Sequence, residues 1–221
     1  MRPSPTRLIA ALAAASMVAA ALAAAAQPSG TENGGGEPMT LVALGDSLTA
    51  GYQLAPGEGF VPQLQAALTA KGYNVTVVDA GVSGDTTTGG LARLNWSVGP
   101  DADAVIVELG ANDALRGIDP SVPRDNLTAI LDRLAERDLP VLLAGMLAPP
   151  NLGEDYGAEF SAVYEDLAAR DVVYYPFFLD GVAANPELNQ PDGLHPTAAG
   201  VEVIVERILP SVEELIARAG G

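Results

Sequence analysis

Apolar residues fall into two alternating patterns along the chain. Short, nearly continuous runs of Val, Leu, Ile and Ala recur at residues 40–44, 75–79, 104–109, 140–144 and 172–175. Unbroken runs of this length read as strands buried on both faces, the habit of a parallel sheet. Between them the apolar positions return every three or four residues. Phe60, Val61, Leu64, Ala67 and Leu68 form one such stripe; Leu127, Ile130, Leu131 and Leu134 form another; Phe160, Val163, Tyr164 and Leu167 form a third. Each is the buried face of a helix. Leu91 and Leu94 predict a further helix over 87–98. A last helix follows His195 and carries Val201, Val205, Ile208 and Val212, with Pro210 inside it predicting a kink or a restart. Five strand–helix units without an internal repeat predict one three-layer α/β domain on a parallel sheet. In such sheets, ligands bind outside the carboxyl ends of the strands.

The first 26 residues follow a different rule. Arg2 and Arg7 precede an apolar stretch, 8–26, broken only by Ser16 and ending Ala24-Ala25-Ala26 before Gln27. This reads as a secretory signal peptide over 1–26. The rival reading is an uncleaved anchor, because the stretch approaches the length of a membrane span; alanine is weakly apolar, and the small residues at the junction favour cleavage. Residues 27–38 are rich in Gly, Ser, Asn and Glu and predict a flexible linker, leaving 39–221 as the folded domain. The expected destination is the periplasm or the medium, with no stable membrane insertion after cleavage. The absence of cysteine excludes a lipoprotein anchor, disulfides, thiolate catalysis and Cys-ligated zinc. No paired arginine supports a twin-arginine signal. The formal charge is −17, and loss of Arg2 and Arg7 takes it to −19. So acidic a chain lacks the clustered Lys and Arg that nucleic acid requires; the charge reads as solubility. One histidine and no cysteine leave only carboxylates as metal ligands, so no metal or cofactor is expected. The sequence carries no reading of oligomeric state.

Two distant segments carry chemistry. The strand Leu41-Val42-Ala43-Leu44 runs into Gly45-Asp46-Ser47, and the sole histidine lies in Asp192-Gly193-Leu194-His195-Pro196. A serine hydroxyl is a weak nucleophile and needs a base to take its proton. Histidine is the side chain whose ordinary pKa suits that task near neutrality. Its second ring nitrogen must be held and its transient charge balanced, and Asp192, three residues earlier, can do both. Blander readings exist for each residue. His195 could be a surface or capping histidine, Ser47 a helix cap, Asp46 a residue that holds its loop, and Asp192 a turn former with Gly193. A tetrahedral intermediate needs hydrogen-bond donors aimed at its oxyanion. The candidates are the N–H of Ser47, the N–H of Gly81 and the side-chain amide of Asn112. Gly81 lets the backbone approach a ligand closely, or is a plain strand-to-helix turn; Asn112 could instead make an Asx turn.

Gly45-Asp46-Ser47-Leu48, Gly81, Gly110-Ala111-Asn112-Asp113 and Asp192-Gly193-Leu194-His195-Pro196 resemble the four blocks of the SGNH, or GDSL, hydrolase superfamily. The strings 45–52, Ser83-Gly84-Asp85-Thr86 and Leu91-Ala92-Arg93-Leu94 resemble its thioesterase I, lysophospholipase and arylesterase branch. The resemblance spans residues 40–215. It implies Ser47 as nucleophile, His195 as base, Asp192 as its partner, and Ser47, Gly81 and Asn112 as the oxyanion hole. It also implies a flavodoxin-like α/β/α sandwich with five parallel strands in the order 2-1-3-4-5. Ala111 stands where glycine is common, and the Gly-x-Ser-x-Gly elbow of α/β-hydrolases is missing. In this branch the loop after the asparagine shapes the acyl pocket, which implicates Leu115 and Ile118. A second wall is expected from 146–153, with Leu147, Pro149 and Leu152; the alternative is a loop covering the core edge. Phe177, Phe178 and Leu179 line the same cleft or pack beneath the loop before Asp192. The expected activity is that of an exported serine esterase acting on acyl or aryl esters, thioesters or lysophospholipids through an acyl-serine. The alternatives are O-acetyl transfer or deacetylation on exported glycans, and a non-catalytic binding protein on the same fold.

Overall fold

A computed structural model of the protein describes residues 38–220. The expected signal peptide and all of the expected linker but Pro38 lie outside the described residues. The five apolar runs form β1 (Met39–Gly45), β2 (Val75–Gly81), β3 (Ala104–Glu108), β4 (Val141–Ala144) and β5 (Val173–Tyr175), all parallel and in the order β2-β1-β3-β4-β5. The ends differ from expectation by at most two residues. At β4 the reason is chemical: Pro140 gives its carbonyl to the N–H of Val105 at 3.1 Å but has no N–H of its own to enter the ladder.

The helices are α1 (Ser47–Ala50), α2 (Phe60–Ala70), α3 (Thr87–Ser97), α4 (Ala111–Leu115), α5 (Ser121–Ala135), α6 (Glu154–Leu167) and α7 (Ala198–Ala219), with a 3₁₀ turn at Pro150–Leu152. The chain steps from β1 to β2 in one direction and from β2 across to β3 in the other. Right-handed crossovers therefore place α2 and α3 on opposite faces of the sheet. α7 packs beside α2, while α5 packs between α3 and α6. All five residues of β3 are buried, and the stripe residues Phe60, Leu64, Leu127, Ile130, Leu134 and Phe160 are fully buried against the sheet. The strand order reverses between β1 and β3, so a crevice opens at their carboxyl ends. Ser47 follows one of these strands and Asn112 the other.

Two details depart from what periodicity alone suggests. α7 does not restart at Pro210; it runs unbroken from Ala198 to Ala219. Val201, Ile204, Val205, Ile208, Val212, Leu215 and Ile216 hold one continuous buried face. Pro210 lies on the exposed side, where water can satisfy the carbonyl that loses its partner. The edge strand β2 is also blunted. The Gln65 side chain accepts from the N–H of Val77 and donates to the carbonyl of Val75, both at 2.8 Å, filling positions a further strand would take. Among the described residues, no helix is long and apolar enough to cross a membrane.

Candidate active site

β1 ends at Gly45, and Asp46 caps the short helix that follows, its carboxylate accepting from the N–H of Leu48 at 3.0 Å. Ser47 is thus the first residue of α1, its side chain held at the switch-point crevice, and its N–H is one of the donors a helix start leaves unpaired. From the far end of the chain, the loop before α7 brings His195 to it: Nε2 lies 2.9 Å from Ser47 Oγ. Nδ1 lies 2.7 Å from Asp192 Oδ2. A carboxylate only accepts, so it fixes the proton on Nδ1 and leaves the Nε2 lone pair facing the serine hydroxyl.

The two carboxylate oxygens of Asp192 make separate sets of contacts. Oδ1 accepts from the N–H of Leu194 and of His195 at 2.9 and 3.0 Å, forming the turn, while Oδ2 takes the imidazole. Partial burial alone raises its pKa, but these donors and the nearby imidazole outweigh that and hold the carboxyl down to about 2. Gln190 locks the loop: its N–H donates to the carbonyl of His195 at 2.7 Å, and its amide donates to the carbonyls of Tyr52 and Pro196, each at 2.9 Å. The Tyr52 ring packs on the imidazole with centroids 4.5 Å apart.

Beside the serine lie two buried carboxyls, Asp46 and Glu108, the second of which no sequence motif marks. Glu108 closes the apolar run of β3 and is fully buried. Its Oε2 accepts from Thr49 Oγ1 at 2.8 Å and from the N–H of Asp46 at 3.3 Å, while Oε1 has no hydrogen-bond partner among the described residues. Burial first, then the charge of Asp46, push its carboxyl well above the usual range. Asp46 is itself fully buried, and desolvation raises it to about 6 against the hydrogen bonds from Leu48 and Asn112. Asp46 does hold its loop, and it also accepts from Asn112 Nδ2 at 2.9 Å. An amide nitrogen carries two hydrogens, so this bond orients Asn112 while leaving it a second donor.

At Gly81 the geometry departs from expectation. Its N–H donates to Asp79 Oδ1 at 2.8 Å and is not free to face an oxyanion. What Gly81 provides is room: a Cβ there would lie 2.5 Å from the backbone nitrogen of Ala50 in α1. The next glycine, Gly84, sits in the turn closed by Asp85 N–H to the carbonyl of Val82 at 3.0 Å, with φ +86°. Arg116 Nη2 holds its carbonyl at 2.6 Å, and its N–H has no acceptor among the described residues. Spacing could not separate the two glycines; the left-handed turn in Ser83-Gly84-Asp85 was the usable signal.

A cavity of about 430 Å³ opens beside Ser47, Asn112 and His195. Leu115, Leu147 and Pro149 line it, joined by Met146, Phe177 and Leu179, and by Ala183 and Ala184 from the loop before Asp192. Ile118 and Leu152 are not on its wall: Ile118 gives its carbonyl to Tyr156 Oη at 2.7 Å, and the Leu152 side chain lies near Gly117. Phe178 is fully buried in the core, against Phe60. Among the described residues, no group of three His, Asp or Glu side chains is placed to hold a metal ion.

A parallel five-stranded sheet with a serine, a histidine and an aspartate in series at its switch point, opening on an apolar cavity, defines a serine ester hydrolase. The chain belongs to the GDSL-like Lipase/Acylhydrolase family, whose model matches residues 43–203. It is 39% identical over 180 residues to Esterase TesA of Pseudomonas aeruginosa, covering 80% of this chain and 90% of that protein. It is 36% identical over 179 residues to Thioesterase 1/protease 1/lysophospholipase L1 of Escherichia coli K12, covering 80% and 85%. The crystal structure of AlinE4, an SGNH-hydrolase family esterase, superposes with a TM-score of 0.69 at 46% identity, covering 82% of this chain and 98% of that one.

Proposed function

We propose that the protein is an exported esterase that cleaves carboxylic esters of apolar acyl or aryl groups through an acyl-Ser47 intermediate. The observation that carries this reading is the series Asp192 Oδ2, His195 Nδ1 at 2.7 Å and His195 Nε2, Ser47 Oγ at 2.9 Å, set at the wall of an apolar cavity. His195 takes the hydroxyl proton as Ser47 Oγ attacks the carbonyl carbon, then returns it to the leaving oxygen. Asp192 holds the ring and balances the imidazolium. Water enters next, again with His195 as base, and releases the acid and the serine.

The oxyanion sits among the N–H of Ser47, the free amide hydrogen of Asn112 and the N–H of Gly84, which takes the place expected for Gly81. The cavity takes the acyl group, with Leu115, Leu147 and Pro149 on its wall. Its apolar walls favour an acyl chain over the polar ring of an acetylated glycan. The Escherichia coli relative is named as a thioesterase and lysophospholipase, which supports thioesters and lysophospholipids as further substrates of the same chemistry. Export rests on the leader-like pattern of residues 1–26.

The test is hydrolysis of a p-nitrophenyl ester series from acetyl to palmitoyl by residues 27–221. Turnover that rises with acyl length and vanishes in Ser47→Ala is expected. Turnover of acetyl esters alone, with acetylated glycans preferred, would overturn the acyl reading.

A further inference from the structure

The string Leu91-Ala92-Arg93-Leu94 has no part in the chemistry above, yet Arg93 is only 6% exposed. Its guanidinium spans three segments. Nη2 donates to the carbonyl of Gly45 at 2.8 Å, at the end of β1 and two residues before Ser47. Nη1 donates to the carbonyl of Ala80 at 2.7 Å, at the end of β2, and to Ser97 Oγ at 3.0 Å in its own helix. Nε donates to Asp85 Oδ2 at 2.6 Å, the residue directly after Gly84.

We propose that Arg93 is a positioning residue of the oxyanion hole, clamping the ends of β1 and β2 and the Gly84 turn so that the N–H groups of Ser47 and Gly84 converge on one point. This rests on the esterase reading and deepens it. The clamp has the right chemistry. A guanidinium is a rigid planar fork whose donors point in fixed directions, which an ammonium on a flexible stem cannot match. Burying such a charge is a poor route to stability, because desolvation offsets the attraction of its partner. Its effect here is directional. The carbonyl of Gly45 also accepts from the N–H of Val82 at 3.0 Å, so Arg93 and the start of the Gly84 turn meet on one atom. The opposite side of the hole is braced as well. Asp113, next to Asn112, accepts from the N–H and Oγ1 of Thr87 at 2.8 and 2.7 Å, and Arg116, directly after α4, reaches the carbonyl of Gly84. The turn that carries Gly84 is therefore tied to the serine side by Arg93 and to the asparagine side by Arg116. Oxyanion donors act only when aimed before the reaction begins, and Arg93 provides that aim without touching substrate.

The experiment compares Arg93→Lys, Asp85→Asn and Ser97→Ala in residues 27–221. Active serines are counted by the p-nitrophenol released from diethyl p-nitrophenyl phosphate, and kcat and KM are measured per active serine on p-nitrophenyl butyrate. In Arg93→Lys, kcat should fall about ten- to a hundredfold with KM within about twofold, and the rate of Ser47 phosphorylation should fall in parallel, since that reaction uses the same hole. Asp85→Asn should move in the same direction. Ser97→Ala takes a bond from the same guanidinium but touches none of the three clamped segments, and should keep kcat within about twofold. Full kcat per active serine in Arg93→Lys, or an equal loss in Ser97→Ala, would overturn the proposal. So would failure of both Arg93→Lys and Asp85→Asn to fold, which would make the pair a folding element. Ser47→Ala is measured alongside: turnover retained there brings down the esterase reading itself, whereas an inactive Ser47→Ala beside a fully active Arg93→Lys brings down only the clamp.

Discussion

At the scale of single residues, the site is a set of carboxyls with unlike surroundings. Asp192 is stabilised as an anion, while burial holds Asp46 up at about 6 and raises Glu108 well above the usual carboxylate range. The sign of the linkage follows. A carboxyl whose folded pKa is raised binds its proton more tightly in the folded state, so stability increases as pH falls through the raised value toward the ordinary one. Between about pH 6 and pH 4 the protein should become more stable, with Asp46 contributing on the order of 3 kcal/mol. Below that window the trend reverses, because Asp192 loses its contribution as pH falls toward about 2. Thermal midpoints from pH 7 to pH 3 test this: a maximum near pH 4 that flattens in Asp46→Asn is expected, and a steady decline below pH 6 would contradict it. Activity should fall over the same window in which stability rises, since protonated Asp46 no longer holds Asn112 as an anion. Single residues were also where the sequence was hardest to read. Ser47, Asp192 and His195 were legible because each lies in a short motif at a strand or helix end. Gly81 and Gly84 were not separable, because which N–H is left unpaired depends on where Asp79 and Val82 turn. Glu108 was hidden because it finishes an apolar strand run.

At the scale of elements, hydrophobic periodicity carried most of the architecture. Runs buried on both faces gave the strands, and three-four stripes gave the helices, each strand end within two residues. What periodicity could not give were decisions taken by tertiary contact. Pro210 does not interrupt α7, because the buried face on either side is continuous and the proline faces water. Pro210→Ala restores a backbone donor at an exposed position and should raise stability by roughly 1–3 kcal/mol in urea unfolding; a loss would mean that the proline relieves strain there. Gln65 makes the opposite prediction. Its amide closes the open edge of β2 at 2.8 Å on both Val75 and Val77. Gln65→Ala should lower stability by about 1–2 kcal/mol, and the exposed edge should favour self-association. Unchanged unfolding and light scattering would show that water serves the edge equally well. Ile118 and Leu152 are expected on the pocket wall because their loops form it, but neither lines the cavity; which residues of a loop face a cleft is decided by tertiary contacts such as the bond from Tyr156 Oη to the Ile118 carbonyl.

At the scale of the whole molecule, the fold delivers residues 148 positions apart to within hydrogen-bond reach. The sheet reverses its order between β1 and β3, and Ser47 and Asn112 stand on the two sides of that crevice. The loop after β5 brings His195 over it and adds Phe177, Leu179, Ala183 and Ala184 to the cavity. One loop thus supplies both His195 and part of the cavity wall. Each methylene buried in an apolar site is worth about 0.8 kcal/mol, or about fourfold in kcat/KM. That factor should recur per methylene along an ester series until the cavity of about 430 Å³ is full. A flat series would mean that the chain stays in solvent.

The central claim is that Ser47 carries the acyl group. Intact-mass analysis of residues 27–221, quenched in acid within the first turnovers on p-nitrophenyl butyrate, tests it most directly. A butyryl adduct that maps to Ser47, disappears in Ser47→Ala and accumulates when His195→Ala is mixed with excess ester over long times is the expected result. An adduct on another residue, or undiminished turnover in Ser47→Ala, would contradict it.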